Sequence, residues 1–174
     1  MPGGLLPASR EAGTMRCPNC GAAMRLKSDA DDFVCTFCYA VHVPETNSDG
    51  VRVLGEESTA TCSVCRIPLM HAAVGGRRIQ YCTKCRGMLI PMVYFAALTQ
   101  DLRAARGATA ATTIPPDERD LDRRATCPEC RSHMLTHRYG GPGNVIIDSC
   151  ERCQANWLDY GELARIVRAP DPTV

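Results

Sequence analysis

Twelve cysteines are the residues of this 174-residue sequence best suited to chemistry, because they fall into six Cys-x2-Cys pairs with none left over. The pairs form three successive sets, with spacers of 14, 16 and 19 residues between the two pairs of a set. Two of these spacers lie in the range typical of zinc sites, and the first is one residue short. Zn²⁺ takes four ligands in a tetrahedron, which two such pairs can supply. We therefore predict three zinc ions per chain, bound by Cys17, Cys20, Cys35 and Cys38; by Cys62, Cys65, Cys82 and Cys85; and by Cys127, Cys130, Cys150 and Cys153.

Disulfide bonds are the alternative use of these cysteines, and the cellular compartment decides between the two. Residues 1–14 lack the basic start and apolar run of a secretory signal, and no stretch approaches the roughly 20 apolar residues of a membrane span. We therefore expect a cytoplasmic protein without a membrane segment, in a reducing environment where dense cysteines usually bind metal. Ligands could also interleave between sets, but each set already has four, and 23 and 41 residues separate the sets.

Each set of cysteines encloses a segment that predicts a β-hairpin, so each set is predicted to form a zinc ribbon. The predicted turns are 29–32, 75–76 and 140–143, and the strand-like runs that follow them are 33–34, 79–81 and 145–147. A unit of about 25 residues is too small to fold on apolar burial alone. Structural zinc contributes on the order of 10–16 kcal/mol in small fingers. We therefore expect metal binding and folding to be one event.

The segments after the first two ribbons differ from each other. After the first, runs at 41–43 and 51–53 flank an Asn-Ser-Asp-Gly sequence, which predicts an extra hairpin. After the second, a largely apolar segment predicts a helix over 91–106, with Pro91 in its first turn and Gly107 as its stop. Residues 108–124 are rich in Thr, Pro and charged side chains, which predicts a flexible linker.

The segment after the third ribbon, 157–167, predicts a turn into a short helix. Asp159 is placed to cap this helix, and Glu162 three residues later completes a capping-box pattern. We interpret Trp157 as a core residue that packs the helix against the ribbon rather than as a recognition residue.

These patterns predict a small metal-stabilised, β-rich α+β fold of three tandem four-cysteine zinc ribbons, the second and third each followed by a short helix. The predicted organisation is a disordered N-terminal tail (1–14), a first ribbon with an extra hairpin (15–60), a second ribbon with an apolar helix (61–107), a flexible linker (108–124) and a third ribbon with a C-terminal helix (125–168).

A family resemblance is carried by the third set of cysteines and the residues after it. The motifs are Cys127-Pro-Glu-Cys130, then Met134, then Cys150-Glu-Arg-Cys153, then the run Trp-Leu-Asp-Tyr-Gly-Glu-Leu over 157–163. They resemble the bacterial transcription-factor-IIB-type zinc-finger family, most closely over 127–166 and more weakly over 62–98. The resemblance implies a four-cysteine zinc site followed by a short helix. The first ribbon matches only a generic zinc ribbon.

Catalytic zinc requires an open coordination position, usually beside three protein ligands. Twelve thiolates divide evenly into three closed sites, and the His-x-Glu element of zinc deaminases is absent from the sequence. We therefore expect no catalytic residues and no enzyme activity. The four histidines, which we expect to be ordinary surface residues, are His42, His71, His133 and His137.

Two features bear on the partner. Residues 61–110 carry seven basic side chains against one acidic, so the middle ribbon is the basic part of the chain. Nucleic acid could therefore bind a small patch formed by Arg77, Arg78, Lys84 and Arg86. The apolar residues from Leu89 to Leu98 either pack between the ribbons or dock a protein partner.

We therefore predict a non-catalytic adaptor or regulatory protein that presents zinc ribbons to a protein or nucleic-acid partner, with a transcription-related role among the options. The alternative is a rubredoxin-like electron carrier or a thiol-based redox sensor, since paired Cys-x2-Cys turns also bind iron and zinc thiolates release metal on oxidation.

Overall fold

A computed structural model describes residues 15–27, 31–107 and 114–170. The predicted tail, 1–14, and the first part of the predicted linker, 108–113, lie outside the described residues, as does 28–30 in the first predicted turn. The strands and helices of the described chain are β1 (Met24–Leu26), β2 (Phe33–Cys35), β3 (Val41–His42), β4 (Val51–Thr61), β5 (Pro68–Val74), β6 (Arg77–Tyr81), β7 (Met88–Pro91), α1 (Met92–Ala105), a 3₁₀ helix (Glu118–Asp122), β8 (Leu135–Arg138), β9 (Ile146–Cys150), β10 (Ala155–Leu158) and α2 (Glu162–Arg168).

The first ribbon is an antiparallel sheet in the order β1-β2-β3. Met24 pairs with Cys35, and Phe33 pairs with His42. Because side chains alternate along a strand, Met24, Phe33 and Cys35 share one face. That face is buried against Leu54 of β4 and Ala73 of β5, which attach the first ribbon to the rest of the molecule.

The extra hairpin predicted after the first ribbon is wrong, because its two strands pair with other strands and not with each other. The strand at 41–43 pairs with β2, and the strand at 51–53 begins β4, which pairs with β5 of the second ribbon. An isolated bridge between Thr46 and Arg52 and a hydrogen bond from the Asn47 amide to the Val51 carbonyl at 2.9 Å join the two sides of the predicted hairpin, without a strand ladder. The turn itself is present, since the Asn47 side chain accepts hydrogen bonds from the amides of Asp49 and Val51. Valine alternation indicated strands but not which strands they pair with.

The second and third ribbons share one sheet, in the order β4-β5-β6-β7-β10-β9-β8. The junction is the antiparallel pairing of β7 with β10, in which Leu89 lies opposite Trp157. Leu89 and Trp157 each stand four residues after the last cysteine of their set. Each residue thus pairs with its own equivalent, so the two ribbons are related by an approximate twofold axis at this point.

The apolar core lies between one face of this sheet and the two helices. Alternate strand residues such as Met88, Ile90 and Leu158 meet Phe95 and Leu98 of α1 there. The helices also contact each other. The apolar segment that follows the second set of cysteines therefore packs mainly between the ribbons, although Val93 is exposed.

Both predicted helices are present, with differences at their N-termini. Helix α1 begins one residue after Pro91, and Gly107 follows its end with a φ of 73°. At α2, the Glu162 carboxylate accepts a hydrogen bond of 2.8 Å from the Asp159 amide, as a capping box requires. The Asp159 carboxylate does not cap the helix, because it accepts hydrogen bonds from Trp157 and Arg123 instead. No helix in the described ranges is long and apolar enough to cross a membrane.

Candidate metal centres

The structure gathers the twelve predicted ligands into three groups of four, one group in each ribbon. Within a group, all four Sγ atoms lie within 4.8 Å of one another. Four Sγ–Sγ distances are 3.5 or 3.6 Å, between Cys17 and Cys38, Cys20 and Cys35, Cys62 and Cys85, and Cys130 and Cys150. Bonds of about 2.3 Å to a tetrahedral zinc place sulfur atoms about 3.8 Å apart, whereas a disulfide places them about 2.05 Å apart. The geometry fits zinc and excludes disulfides, so the three groups are zinc sites.

Every ligand pair lies on the same kind of turn. The amide of its first cysteine donates to the carbonyl five residues later in five of the turns, as from Cys82 to Gly87 at 2.9 Å. In the sixth turn the corresponding residues, Cys150 and Ala155, pair as strand residues of β9 and β10. The residue just after the second cysteine has a positive φ in all six, and five of these residues are not glycine: Tyr39, Arg66, Arg86, Arg131 and Gln154. A non-glycine residue with a positive φ raises the free energy of the folded chain. This conformation is retained where the surrounding structure fixes the backbone.

Backbone amides point at the sulfur atoms and favour their ionised form. The amides of Cys38 and Phe37 lower the pKa of the Cys35 thiol to about 6. Hydrogen bonding from Ser132 likewise lowers the pKa of Cys130 to about 6. In the middle ribbon, burial opposes ionisation of Cys82, but hydrogen bonds from the amides of Cys85 and Lys84 and from the thiols of Cys85 and Cys62 together lower its pKa. Since the thiolate is the metal ligand, each group holds at least one sulfur whose metal-binding, ionised form is favoured by its hydrogen bonds.

The first site differs from the other two in exposure. Cys20 is exposed, whereas no cysteine of the second or third group is. The second and third groups lie in one apolar cluster with Leu89, Trp157 and Met134. This cluster occupies the sheet face opposite the helices, because Leu89 and Trp157 alternate with the residues that face α1. The two sites are therefore packed as one unit, while the first stands apart.

Comparison with known families bears on the third site. Residues 126–169 match the model of a family described as a transcription factor zinc-finger. The third ribbon is thus similar to the zinc ribbons of this family. The match covers these residues alone and does not extend to the first two ribbons. Searches of curated proteins and of solved structures found no significant match to the chain.

Trp157 of the third ribbon contacts the second ribbon rather than its own helix, so the predicted packing partner is wrong. The indole is 2% exposed and lies on Gly87, where an added Cβ would come within 2.2 Å of the ring. Its Nε1 donates to the Asp159 carboxylate at 2.9 Å. Strand alternation turns Trp157 away from the helix face, and β7 supplies the surface that buries it.

The close contact between Gly87 and Trp157 gives a first prediction. Gly87→Ala should lower the free energy of unfolding by about 3 kcal/mol, because the new methyl group overlaps the indole and forces the two ribbons apart. Urea denaturation of the zinc-loaded chain measures this change. Gly140→Ala is the matched control, because a Cβ at Gly140 meets no atom within 4 Å. Equal stability of the two variants would contradict the packing described here.

Arg123 is a structural residue that the sequence analysis missed. It follows the 3₁₀ helix within the predicted linker. Its guanidinium forms ion pairs with three carboxylates, those of Asp159 at 2.6 Å, Asp148 at 3.0 Å and Glu162 at 3.9 Å. It also donates to the carbonyl of Ile146 at 3.2 Å. Arg123 thereby fixes the described end of the linker to the third ribbon. One arginine in a polar segment carries no sequence signal for this role.

Most basic side chains of the predicted nucleic-acid patch lie beside carboxylates of the same chain. Arg77 lies 3.6 Å from Asp101, and Arg78 lies 3.4 Å from Asp31. Arg86 forms an ion pair with Asp49 and stacks its guanidinium 4.2 Å from the centre of the Tyr160 ring. Lys84 is exposed.

The predicted surface histidines do not join any four-cysteine group in the described chain. His71 and His133 are exposed, and His42 is half-buried. His137 is half-buried too, and its Nε2 lies 2.8 Å from the Ser149 hydroxyl.

Proposed function

We propose that this chain is a non-catalytic adaptor, in which structural zinc holds three ribbons in a rigid frame that presents surfaces to another macromolecule. The observation that carries the proposal is the composition of the sites. Each zinc site has four cysteine sulfurs within 4.8 Å of one another. Four thiolates fill the tetrahedral coordination of zinc, which leaves no position for the water or substrate that a catalytic zinc must bind.

The continuous sheet supports the role of a rigid frame. The second and third ribbons share seven strands and one apolar core, and the first ribbon packs on β4 and β5 through Leu54 and Ala73. A packed interface of this kind fixes the relative positions of the ribbons, so a partner meets a preformed surface. Preformed surfaces bind without the entropic cost of ordering separate domains.

A protein partner is better supported than nucleic acid. Three of the four basic residues of the predicted nucleic-acid patch lie beside carboxylates. The formal net charge of the chain is +1, and each zinc bound by four thiolates carries two net negative charges. Three filled sites therefore bring the net charge to about −5 (1 − 3 × 2), which disfavours contact with phosphate groups. We further propose a reducing cytoplasm as the compartment, where the thiols stay available to zinc.

The metal content tests the zinc frame and the redox alternative together. We expect three zinc ions per chain and no visible absorbance in protein purified under reducing conditions, because all twelve cysteines lie in closed zinc sites. Elemental analysis and a visible spectrum measure this. A red iron-bound protein, or far fewer than three metals, would favour the rubredoxin-like or thiol-sensing alternative.

The adaptor role itself is tested by partner capture with quantitative mass spectrometry. The zinc-loaded full chain should retain a small set of proteins in constant ratio to itself, and the chelated chain should not, because zinc holds the presenting surfaces. The Gly140→Ala variant serves as a folded control. Metal-dependent turnover of a small substrate without a partner, or retention of nucleic acid alone, would count against the proposal.

A further inference from the structure

The first ribbon has an apolar outer surface, which we call the knuckle face: Phe37, Tyr39, Val41 and Val43. Their exposed fractions are 76%, 77%, 58% and 48%. Nine large apolar residues are exposed in the described ranges, and four of them fall within these seven positions. Exposed apolar residues are ordinary when scattered, but their concentration in one short segment indicates an interaction surface.

The strand register explains why this surface faces away from the molecule. Phe33 and His42 form one cross-strand pair, and Val34 and Val41 form the next. Phe33 is buried against the large sheet. Because successive side chains point to opposite faces, Val34 and Val41 face outwards. Packing of the first ribbon on the sheet thus leaves an apolar outer face.

The same ribbon offers an unpaired backbone edge. β3 is the last strand of its sheet. The amide of Cys35 donates to the carbonyl of Ala40, so Ala40 and His42 direct their backbone groups towards β2. In an antiparallel pair the intervening residues direct theirs outwards. Within the described residues, the outward groups of Val41 and Val43 have no backbone partner. An edge of this kind pairs with an extended peptide.

Charge indicates the composition of that peptide. Residues 15–45 contain three basic and four acidic side chains. With the two negative charges of the filled zinc site, the formal charge of the first ribbon is −3 (3 − 4 − 2). Arg78 of the second ribbon pairs with Asp31 and brings the formal charge around this ribbon to −2 (−3 + 1). Phe37 lies between two ligands of that site, and Tyr39 directly follows the second. Phosphate groups are repelled by this ribbon, whereas lysine and arginine are attracted.

We infer that the knuckle face and the edge of β3 bind an extended peptide segment of another protein, in which apolar side chains alternate with basic ones. The peptide adds a strand to β3 and lays its apolar side chains over Phe37, Tyr39 and Val41. This inference rests on the proposed adaptor function and names the partner that the first ribbon takes.

The test selects peptides from a random nonapeptide library on the zinc-loaded full chain. Enriched peptides should alternate apolar residues with Lys or Arg, and N-methylation of alternate amides should weaken their binding at least tenfold. The double variant Phe37→Ser, Tyr39→Ser should also weaken binding at least tenfold while it retains three zinc ions. Val93→Ser, at an 88% exposed position of α1, is the matched control and should bind as the parent chain does.

Several results would overturn the inference: no enrichment, enrichment of acidic peptides, no effect of N-methylation, or equal binding by the double variant. Preferential binding of a single-stranded oligonucleotide to the knuckle face would assign it to nucleic acid. Self-association that the double variant abolishes would assign it to a second copy of the chain. If the peptide test fails while zinc-dependent protein capture stands, the adaptor function stands and its partner binds elsewhere.

Discussion

A chain carrying Cys150→Ser should bind fewer than three zinc ions and lose ordered structure in both the second and third ribbons. A structural zinc site contributes on the order of 10 kcal/mol or more, comparable to the whole stability of a typical domain. The third ribbon cannot offset that loss with its own core. β10 forms the junction with β7, and Trp157 covers Gly87, so unfolding of the third ribbon exposes the second.

Hydrogen exchange with mass spectrometry measures the extent of this unfolding, together with zinc content. We expect β6, β7, β9 and β10 to lose protection together in Cys150→Ser. Cys20→Ser is the matched comparison, since it removes one ligand from the first site. That variant should lose protection in β1, β2 and β3 alone, because these strands form a separate sheet that meets the large sheet through few residues. Protection of β7 that survives in Cys150→Ser would show that the ribbons fold independently.

The Arg123→Ala variant should be destabilised by about 3 kcal/mol, as expected when one partner of a buried ion pair is removed. The Asp148 side chain is 2% exposed, and burial raises its pKa even with Arg123 beside it. Burial also raises the pKa of Glu162 to about 8. Removal of Arg123 leaves these carboxyl groups and Asp159 without the cation that offsets their ionisation.

The pH dependence of this defect has a definite sign. Carboxyl groups with a pKa raised by folding favour the folded state when protonated, and this contribution is lost as the pH rises through the folded pKa. The deficit of Arg123→Ala relative to the parent should therefore grow between pH 6 and pH 9. Urea denaturation at a fixed free zinc concentration measures it. Arg119→Ala, which removes an exposed ion pair with Asp117, is the control and should match the parent. A deficit that shrinks with rising pH would contradict this account.

The metal ligands and hairpins were predictable because zinc imposes a local spacing on the sequence. Each Cys-x2-Cys pair defines a turn, and the strands that enter the second pairs lie where Ile79 and Ile147 indicated. Helix α1 was also predictable, since Pro91 and Gly107 bracket its apolar run.

The junction between ribbons was not predictable from such local patterns. The sequence pattern shows an apolar run, Met88, Leu89 and Ile90, just before the start of a helix. In the structure this run forms β7, which is a strand because β10 and β6 pair with it. Strand pairing depends on residues distant in sequence, and propensity alone does not specify it. The same reason explains the misassigned hairpin after the first ribbon and the anchoring role of Arg123.

The pairing of β7 with β10 also fixes how the protein responds to dilution. Two separate ribbons joined in this way would form a dimer whose stability falls as its concentration falls. Here both halves belong to one chain, so each half meets the other at a constant effective concentration. The melting temperature of the joined ribbons should therefore not depend on protein concentration, and a few molecules per cell would be as fully folded as a concentrated sample.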